Sequence, residues 1–280
     1  MAPPYARQPL VPPRVAGRFG DLPGAVPRLT SGLILLPPSE GKARPRRGSS
    51  LDLGSLSFPQ LTPLREAVVD TVARLSAEPD AANLLDLNPN LVDDIAGNTR
   101  LHSAPTATAS RVYSGVLYQA LDVDSLDPAS KRRANRWIVV VSALFGALRL
   151  GDRVPAYRVN ICSTLPEVGH LSQEWRRELP AALDAAVKPR ELIVDCRSST
   201  YAGVWRPRDE RAERWVQVAV PGASHMAKHT RGLVTRELVQ GEAPRTPEAL
   251  AERLSDRFEV ALTPPPRPGK PWQLATTPKT

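Results

Sequence analysis

The sequence is poor in the residues and runs that mark several protein classes. Its 280 residues contain two cysteines, which excludes a scaffold held by disulfides. We interpret Cys162 and Cys196 as packed or free thiols, with some thiolate character at Cys196 because Arg197 follows it. No apolar run approaches the roughly 18–20 residues needed to cross a bilayer, so we expect no membrane span. Aromatic residues make up only 5% of the chain, and few of them lie among basic residues, so a stacking platform for single-stranded nucleic acid is not indicated.

Basic residues, in contrast, outnumber acidic ones. The chain has 37 Lys and Arg against 29 Asp and Glu, a formal net charge of +8, and its isoelectric point is near 9.9. This balance favours a polyanionic partner such as DNA, a nucleotide or phosphate. Apolar residues amount to 41%, which is enough for a core and excludes a wholly disordered chain.

The 30 prolines are concentrated near the two ends. Residues 1–31 show no helical or strand period and lack the apolar region of a secretory signal, so we predict a disordered tail, with a polyanion-binding arm as the alternative. Residues 263–280 begin with a second proline-rich stretch, which predicts a C-terminal tail. We therefore expect one ordered domain over residues 32–262.

Strand and helix patterns alternate within this ordered region. Short apolar runs bounded by turn residues are typical of buried strands, and apolar residues three or four apart indicate helices. The predicted strands cover residues 33–36, 137–141, 191–195 and 215–220, and the predicted helices cover residues 63–77, 171–187 and 224–239. This alternation predicts an α/β or mixed α+β domain around a largely buried mixed sheet.

Polar side chains follow three of the predicted strands at the points where the apolar runs end. Ligands of open α/β sheets bind outside the carboxyl ends of the strands. If these strands are parallel neighbours, one cleft is lined by Ser39, Glu40, Lys42, Ser142, Arg149, Asp195, Arg197 and Ser198. Carboxylates and cations together suit a sugar phosphate or nucleotide. In the alternative interpretation, Asp195 and Ser198 cap turns and Arg197 pairs with Asp195.

Other motifs for phosphate or metal binding are absent or incomplete. Residues 39–42 lack the first glycine and the final hydroxyl residue of a P-loop, and no G-x-G-x-x-G occurs. His225 and His229 would lie one turn apart on a helix but lack the glutamate of H-E-x-x-H, so we expect no metal site. Lys228 and Arg231 near the same helix start are candidates for phosphate contact, with a solvated basic face as the alternative.

Several blocks, in their order along the chain, resemble the YaaA family of bacterial peroxide stress proteins. The blocks cover residues 35–42, 113–118, 142–149, 155–158, 192–198 and 224–232. The resemblance implies a cytoplasmic protein with a positively charged cleft that limits oxidative damage to DNA, and it brings no established catalytic reaction. Tyr157 and Arg158 lie in one of these blocks and join the candidate ligand-binding residues, as does His225.

Two features depart from the family pattern. DNA binding in the family is attributed to a helix-hairpin-helix-like element, and its nearest candidate here, residues 84–95, lacks the expected glycine hairpin. The last block has Met226 and Ala227 where the family usually has Phe and Asn. The missing hairpin argues against DNA binding by residues 84–95, and the change in the last block favours a divergent member with a specialised, biosynthetic role.

Two functions remain open from the sequence. The first is a stress protein that binds DNA or a nucleotide-like polyanion through a basic cleft, and we favour it because of the resemblance. The second is an enzyme acting on a small phosphorylated or nucleoside-like ligand, with Glu40 or Asp195 as acid or base. In the second, the anion is held by Lys42, Arg149, Arg158, Lys228 and Arg231. Neither requires a cofactor.

Overall fold

A computed structural model describes residues 32–188, 190–222 and 224–279, so the predicted tail over residues 1–31 lies outside the described residues. The strands are β1 (Leu33–Leu36), β2 (Ala107–Thr108), β3 (Ile138–Ser142), β4 (Gly146–Arg149), β5 (Arg153–Val154), β6 (Thr164–Leu165), β7 (Gly169–His170), β8 (Ile193–Asp195), β9 (Trp215–Ala219), β10 (Phe258–Thr263) and β11 (Trp272–Pro278). The helices are α1 (Thr62–Leu75), α2 (Ala81–Leu84), α3 (Val92–Asn98), α4 (Ala109–Val112), α5 (Val116–Leu121), α6 (Pro128–Trp137), α7 (Leu171–Ala186), α8 (Ser199–Ala202), α9 (Ser224–Val239) and α10 (Pro247–Leu254). Short 3-10 turns cover Leu53–Ser55, Pro59–Leu61, Pro89–Leu91, Val123–Ser125 and Asp209–Arg214.

The centre of the described chain is a seven-stranded mixed sheet in the order β10-β11-β9-β8-β1-β3-β4. The strands from β11 to β3 run parallel to one another, while β10 and β4 are antiparallel to their neighbours at the two edges. This sheet, with helices α1, α7 and α9 close to their predicted positions, confirms the mixed α/β fold.

Strand β1 lies between β3 and β8 and runs parallel to both. Leu35 is in register with Val139 on one side and with Asp195 on the other. Every residue of these three strands is buried, because each strand consists almost entirely of branched apolar residues. The expectation that the strands are parallel neighbours is confirmed, so their carboxyl ends meet at one edge of the sheet.

The hairpin from β3 to β4 places one candidate residue away from this edge. Val139 is in register with Arg149, and Ser142 is in register with Gly146. The chain reverses immediately after Ser142, where Gly146 adopts a φ of 72° that favours glycine. Arg149 therefore returns to the amino end of β3, contrary to the expectation that it lines the same cleft as Ser142.

The C-terminal segment also differs from the prediction. Residues 272–278 are not a tail but form β11, which pairs with β9 on one side and β10 on the other. Alternation explains the difference, because Leu274 and Thr276 are buried between more exposed neighbours. The prolines of residues 264–271 lie in the connection between β10 and β11, where a strand's hydrogen bonds are not needed.

Within residues 32–188, 190–222 and 224–279, the helices are too short or too polar for any of them to cross a membrane.

Candidate functional site

The loop that follows β1 is held by contacts within itself. Pro37 and Pro38 end the strand, and the Ser39 hydroxyl then donates to the Gly41 carbonyl over 2.5 Å. The Lys42 amine reaches back and donates to the Ser39 carbonyl over 2.8 Å and to the Glu40 carbonyl over 3.4 Å. The loop thereby presents the Lys42 nitrogen and the Glu40 side chain from a fixed backbone.

A second segment fits closely against this loop. A Cβ atom at Gly115 would lie 2.9 Å from the Ser39 Cβ, a distance that real Cβ atoms do not adopt. Just before it, Tyr113 forms an isolated antiparallel bridge with Lys42. Glycine at position 115 is therefore required for the start of α5 to approach the loop.

Two tyrosine rings flank the Lys42 amine. The nitrogen lies 4.1 Å from the centre of the Tyr157 ring and 5.7 Å from the centre of the Tyr113 ring. Burial lowers the pKa of Lys42 to about 7, helped by the positive charge of Arg158 and opposed by Asp94 and Glu40.

The tyrosine hydroxyls belong to a buried chain of hydrogen bonds that starts at Ser142. The Ser142 oxygen accepts from the backbone N–H groups of Leu144 (3.2 Å) and Phe145 (3.1 Å), so its own proton is free to be donated. The chain continues over 2.7 Å to the Tyr157 hydroxyl and over 2.9 Å to the Tyr113 hydroxyl. The donors therefore point from Ser142 through Tyr157 towards Tyr113. Burial raises the pKa of both tyrosines above the usual range, which keeps them protonated.

The Glu40 carboxylate lies between two cations from distant parts of the chain. Its oxygens are 3.9 Å from the Arg158 guanidinium and 3.8 Å from the Lys228 amine. Arg158 also donates to the Glu40 carbonyl over 2.8 Å, and its own backbone exchanges hydrogen bonds of 2.9 and 2.7 Å with the buried Asn98 side chain. The Glu40 side chain is 78% exposed, so this cluster faces solvent.

Close helix packing brings Lys228 to this position. Lys228 is on α9, which crosses α5 at Gly232. A Cβ atom there would lie 2.2 Å from the Leu117 carbonyl oxygen, so only glycine allows this approach.

A pocket of about 280 Å³ opens beside the loop. Its charged lining consists of Glu40, Lys42, Arg44, Asp94 and Arg100, and its floor includes Tyr157 and Ala156. Arg44 and Asp94 pair at 2.6 Å across its rim. The pocket therefore combines three cations, two carboxylates and one aromatic face.

The end of β8 is different, because Asp195 and Arg197 are paired and fully buried. The guanidinium donates to the carboxylate over 2.7 and 2.9 Å, and the backbone N–H of Arg197 and the indole of Trp215 donate to it as well. Arg197 also donates to the carbonyls of Trp205 and Tyr201. This is the alternative left open from the sequence, in which Arg197 pairs with Asp195. Both carboxylate oxygens are occupied, and neither residue lines the pocket.

The remaining candidate residues lie apart from the pocket. Ser198 is half-buried and precedes α8 without capping it through its side chain. Arg231 donates to the Val218 carbonyl of β9 over 3.3 Å, and His225 is exposed in the first turn of α9. The guanidinium of Arg149 donates to the Arg136 carbonyl at the amino end of β3.

Sequence reasoning missed three residues of this site. Tyr113 lies in a block of the family resemblance, but its spacing gives no sign that it meets Lys42. Asp94 belongs to α3, within the residues 84–95 that were considered only as a DNA-binding element, and Arg100 lies in the turn after α3, outside every predicted motif. The tertiary fold alone brings these residues beside β1.

The cysteines and metal-binding residue types make no further site. Burial raises the pKa of Cys196 to about 12, so the expected thiolate character is wrong. In the part of the chain that the structure describes, no three His, Cys, Asp or Glu side chains are grouped so as to hold a metal ion.

Comparisons with known proteins agree on one family. The family model described as "Peroxide stress protein YaaA" matches residues 33–261. A UPF0246 protein of Streptomyces coelicolor is 43% identical over 252 residues, which cover 86% of this chain and 96% of that protein. A UPF0246 protein of Corynebacterium efficiens is 39% identical over 211 residues, covering 74% and 84%, and one of Burkholderia mallei is 28% identical over 218 residues, covering 71% and 83%.

Proposed function

Because the chain belongs to the YaaA family of peroxide stress proteins, we propose that it acts in the peroxide stress response by binding a nucleotide-like anion in the pocket beside residues 39–42. The proposed place of action is the cytoplasm and the proposed outcome is less oxidative damage, both of which the family resemblance implies. The pocket is the new element in this proposal.

One observation carries the proposal: Lys42, Arg44 and Arg100 line a single pocket together with Glu40 and Asp94. Its volume of about 280 Å³ is just below the usual range for small-molecule sites, which begins near 300 Å³, so it suits a small ligand. Arg44 and Arg100 balance the two carboxylates, and Lys42, whose pKa is about 7, adds a partial positive charge near neutral pH. That excess suits one phosphate group better than a long polyanion.

The two kinds of charge have separate parts in binding. Arg44 and Arg100 supply planar guanidinium donors, which match phosphate oxygens. Glu40 and Asp94 supply acceptors for the hydroxyl groups of a sugar or the amino group of a base. The Tyr157 ring offers an apolar face. A ligand with a phosphate at one end and hydroxyl or amino donors at the other fits this set.

Duplex DNA is the competing ligand with the same phosphate chemistry. A second basic cluster, Lys131 to Arg136, is on α6, which leads into the amino end of β3. The pocket lies beside the carboxyl end of β1, which runs parallel to β3. The two basic regions therefore lie at opposite ends of the strands, so they do not form one continuous surface for a duplex. This separation favours a small ligand over duplex DNA.

Titration calorimetry with adenosine 5′-monophosphate and with a 20-base-pair duplex tests the proposal at several salt concentrations. We expect Arg100→Ala to weaken nucleotide binding at least about tenfold, since a charge-assisted hydrogen bond contributes about 1.5–3 kcal/mol. The matched control, Arg132→Ala on the exposed face of α6, is expected to bind like the wild type. Absence of nucleotide binding overturns the proposal. Duplex binding overturns the proposal as well if its association constant falls by about five log units per log unit of salt and is reduced equally in both variants. That result would indicate a contact between DNA and the protein surface outside the pocket.

A second function, catalysis on the bound nucleotide, is favoured by the place of Glu40. Its carboxylate lines the pocket and has Arg158 and Lys228 within 4 Å, so it can exchange protons with a ligand held there. Asp195 is left out of this proposal because both of its oxygens are occupied. Chromatography of the titrated mixtures provides the test: a product that disappears in Glu40→Gln supports catalysis, and unchanged nucleotide contradicts it.

A further inference from the structure

The Lys42 amine has an arrangement that anion binding alone does not use. Two backbone carbonyls, those of Ser39 and Glu40, accept its N–H groups at 2.8 and 3.4 Å. A neutral amine has two N–H donors and one lone pair. With both donors engaged on the loop, the neutral amine keeps a lone pair that is available for bonding, and Lys42 is one of the residues that line the pocket.

The carboxylates around this amine are engaged with other cations. Glu40 is near Arg158 and Lys228, and Asp94 pairs with Arg44. Among the ion pairs of the described residues, none includes Lys42. The groups that face the amine are the two tyrosine rings, the positive Arg158 and these two carboxylates. The rings and carboxylates favour the charged form, while burial and Arg158 favour the neutral form and bring the pKa to about 7.

A neutral lysine amine in a cavity is the starting point of imine chemistry. An ordinary lysine, with a pKa near 10.4, is almost wholly protonated at neutral pH and has no lone pair to donate. A lysine that is desolvated next to another cation is the arrangement in which the amine becomes a nucleophile towards carbonyl carbon. Lys42 has both conditions, since it is half-buried and has Arg158 close by.

We propose that Lys42 forms a Schiff base with an aldehyde or ketone carried by an anionic ligand in this pocket. The inference rests on the proposed function, because the anionic end of the ligand is held by the same cations. Arg44 and Arg100 hold the anion, while the carbonyl end of the ligand lies beside the Lys42 nitrogen in the same pocket.

The step is balanced without an oxidant or reductant. The Nζ lone pair forms a bond to the carbonyl carbon, and the C=O π pair moves to oxygen, which takes up a proton as nitrogen loses one. The carbon–oxygen bond then breaks, and the oxygen leaves as water as the C=N bond forms. Both amine protons end in that water. Glu40, which lines the same pocket, carries protons between the nitrogen and the departing oxygen.

Reductive trapping on the full chain tests this inference. The probe is pyridoxal 5′-phosphate, used as a small phosphorylated aldehyde, with sodium cyanoborohydride at pH 7.5, and unphosphorylated pyridoxal is the matched probe. Peptide mass spectrometry assigns the reduced adduct among the chain's six lysines. We expect labelling of Lys42 at least about tenfold faster than labelling of the exposed Lys188, because far more of its amine is neutral. Only the Lys42 adduct should require the phosphate.

Variants and a parallel titration separate this inference from the proposed function. Lys42→Arg replaces the amine with a guanidinium that cannot form the imine and should lose the phosphate-dependent adduct, whereas Lys188→Arg should keep it. If adenosine 5′-monophosphate binds but Lys42 is labelled no faster than Lys188, the Schiff-base inference is wrong and the proposed function stands. If the nucleotide does not bind, the proposed function is wrong. Equal labelling of Lys42 by both probes overturns the assignment of an anionic ligand.

Discussion

Two carboxylates at the ends of neighbouring strands have opposite surroundings. Glu40 follows β1 and is 78% exposed, with cations at 3.8 and 3.9 Å. Asp195 ends β8 and is fully buried, with Arg197 at 2.7 Å. Both are acidic residues at the carboxyl ends of strands in one sheet, and the sequence left open whether Asp195 lines the cleft or pairs with Arg197. In this sheet, a charged residue at a strand end is available to a ligand where the following loop leaves it without a close ion pair, as at Glu40, and is unavailable where a close ion pair forms, as at Asp195.

The contrast between the Asp195 pair and the Glu40 cluster also predicts which of them contributes to stability and which is available for ligand binding. A buried ion pair with every oxygen occupied cannot exchange its partner for a ligand without losing several hydrogen bonds. An exposed carboxylate nearly 4 Å from its cations contributes little to stability and can release them. The Asp195 pair therefore belongs to the fold, and the Glu40 cluster is the part that we propose for ligand binding.

The largest expected effect comes from breaking the buried pair. Asp195→Ala leaves the Arg197 guanidinium buried without a carboxylate, which should lower the free energy of unfolding by about 3–5 kcal/mol. Glu40→Ala, the matched change at the exposed cluster, should alter it by less than about 1 kcal/mol. Urea denaturation followed by circular dichroism measures both. Similar losses of unfolding free energy in the two variants would contradict the distinction between the Asp195 pair and the Glu40 cluster.

An intermediate effect should appear in the pH dependence of stability. The pKa of Lys42 is about 7 in the folded chain and near 10.4 when unfolded, so the unfolded state binds more protons between these values. The free energy of unfolding should therefore rise with pH from about 7 to 10, with a slope of at most the value for one proton bound only by the unfolded state. This rise should be missing in Lys42→Met. Urea denaturation at pH 7, 8 and 9 compares the slopes of the two proteins. Equal slopes would mean that Lys42 is not desolvated.

The smallest expected change concerns affinity at the open cluster. Glu40→Gln removes a negative charge from the pocket lining and leaves the charges of Arg158 and Lys228 uncompensated, so the positive potential at the pocket rises. We expect inorganic phosphate to bind about two- to fivefold more tightly, with stability unchanged within about 0.5 kcal/mol. Calorimetry measures the affinity, and Glu178→Gln on the exposed face of α7 is the control. Weaker phosphate binding in Glu40→Gln would contradict the expectation that the Glu40 charge opposes anion binding.

Much of the fold was predictable because its central strands carry a strong local signal. The runs at β1, β3 and β8 are apolar throughout, and a parallel sheet buried on both faces needs such runs. The return of β4 was not predicted, since the turn that depends on the φ of Gly146 has no distinctive residues around it. At β11, the prolines before the strand concealed a period-two pattern in residues 272–278.

The site was predictable to the extent that it belongs to strand ends. Glu40 and Lys42 came from that rule, and the family resemblance drew attention to Tyr157 and Arg158. Asp94 and Arg100 were not predictable, because α3 has seven residues and its approach to β1 depends on tertiary packing. The prediction that Arg149 lines the site was wrong, because the chain reverses after β3 and carries Arg149 to the amino end of that strand.

Strand β11 has a consequence for the order in which the protein is made. It is the last strand of the described chain, yet it lies inside the sheet between β9 and β10. Until the ribosome has supplied residues 272–278, β9 is an open edge whose N–H and C=O groups have no partner on that side. During synthesis, this side of β9 is therefore closed only after residues 272–278 have left the ribosome.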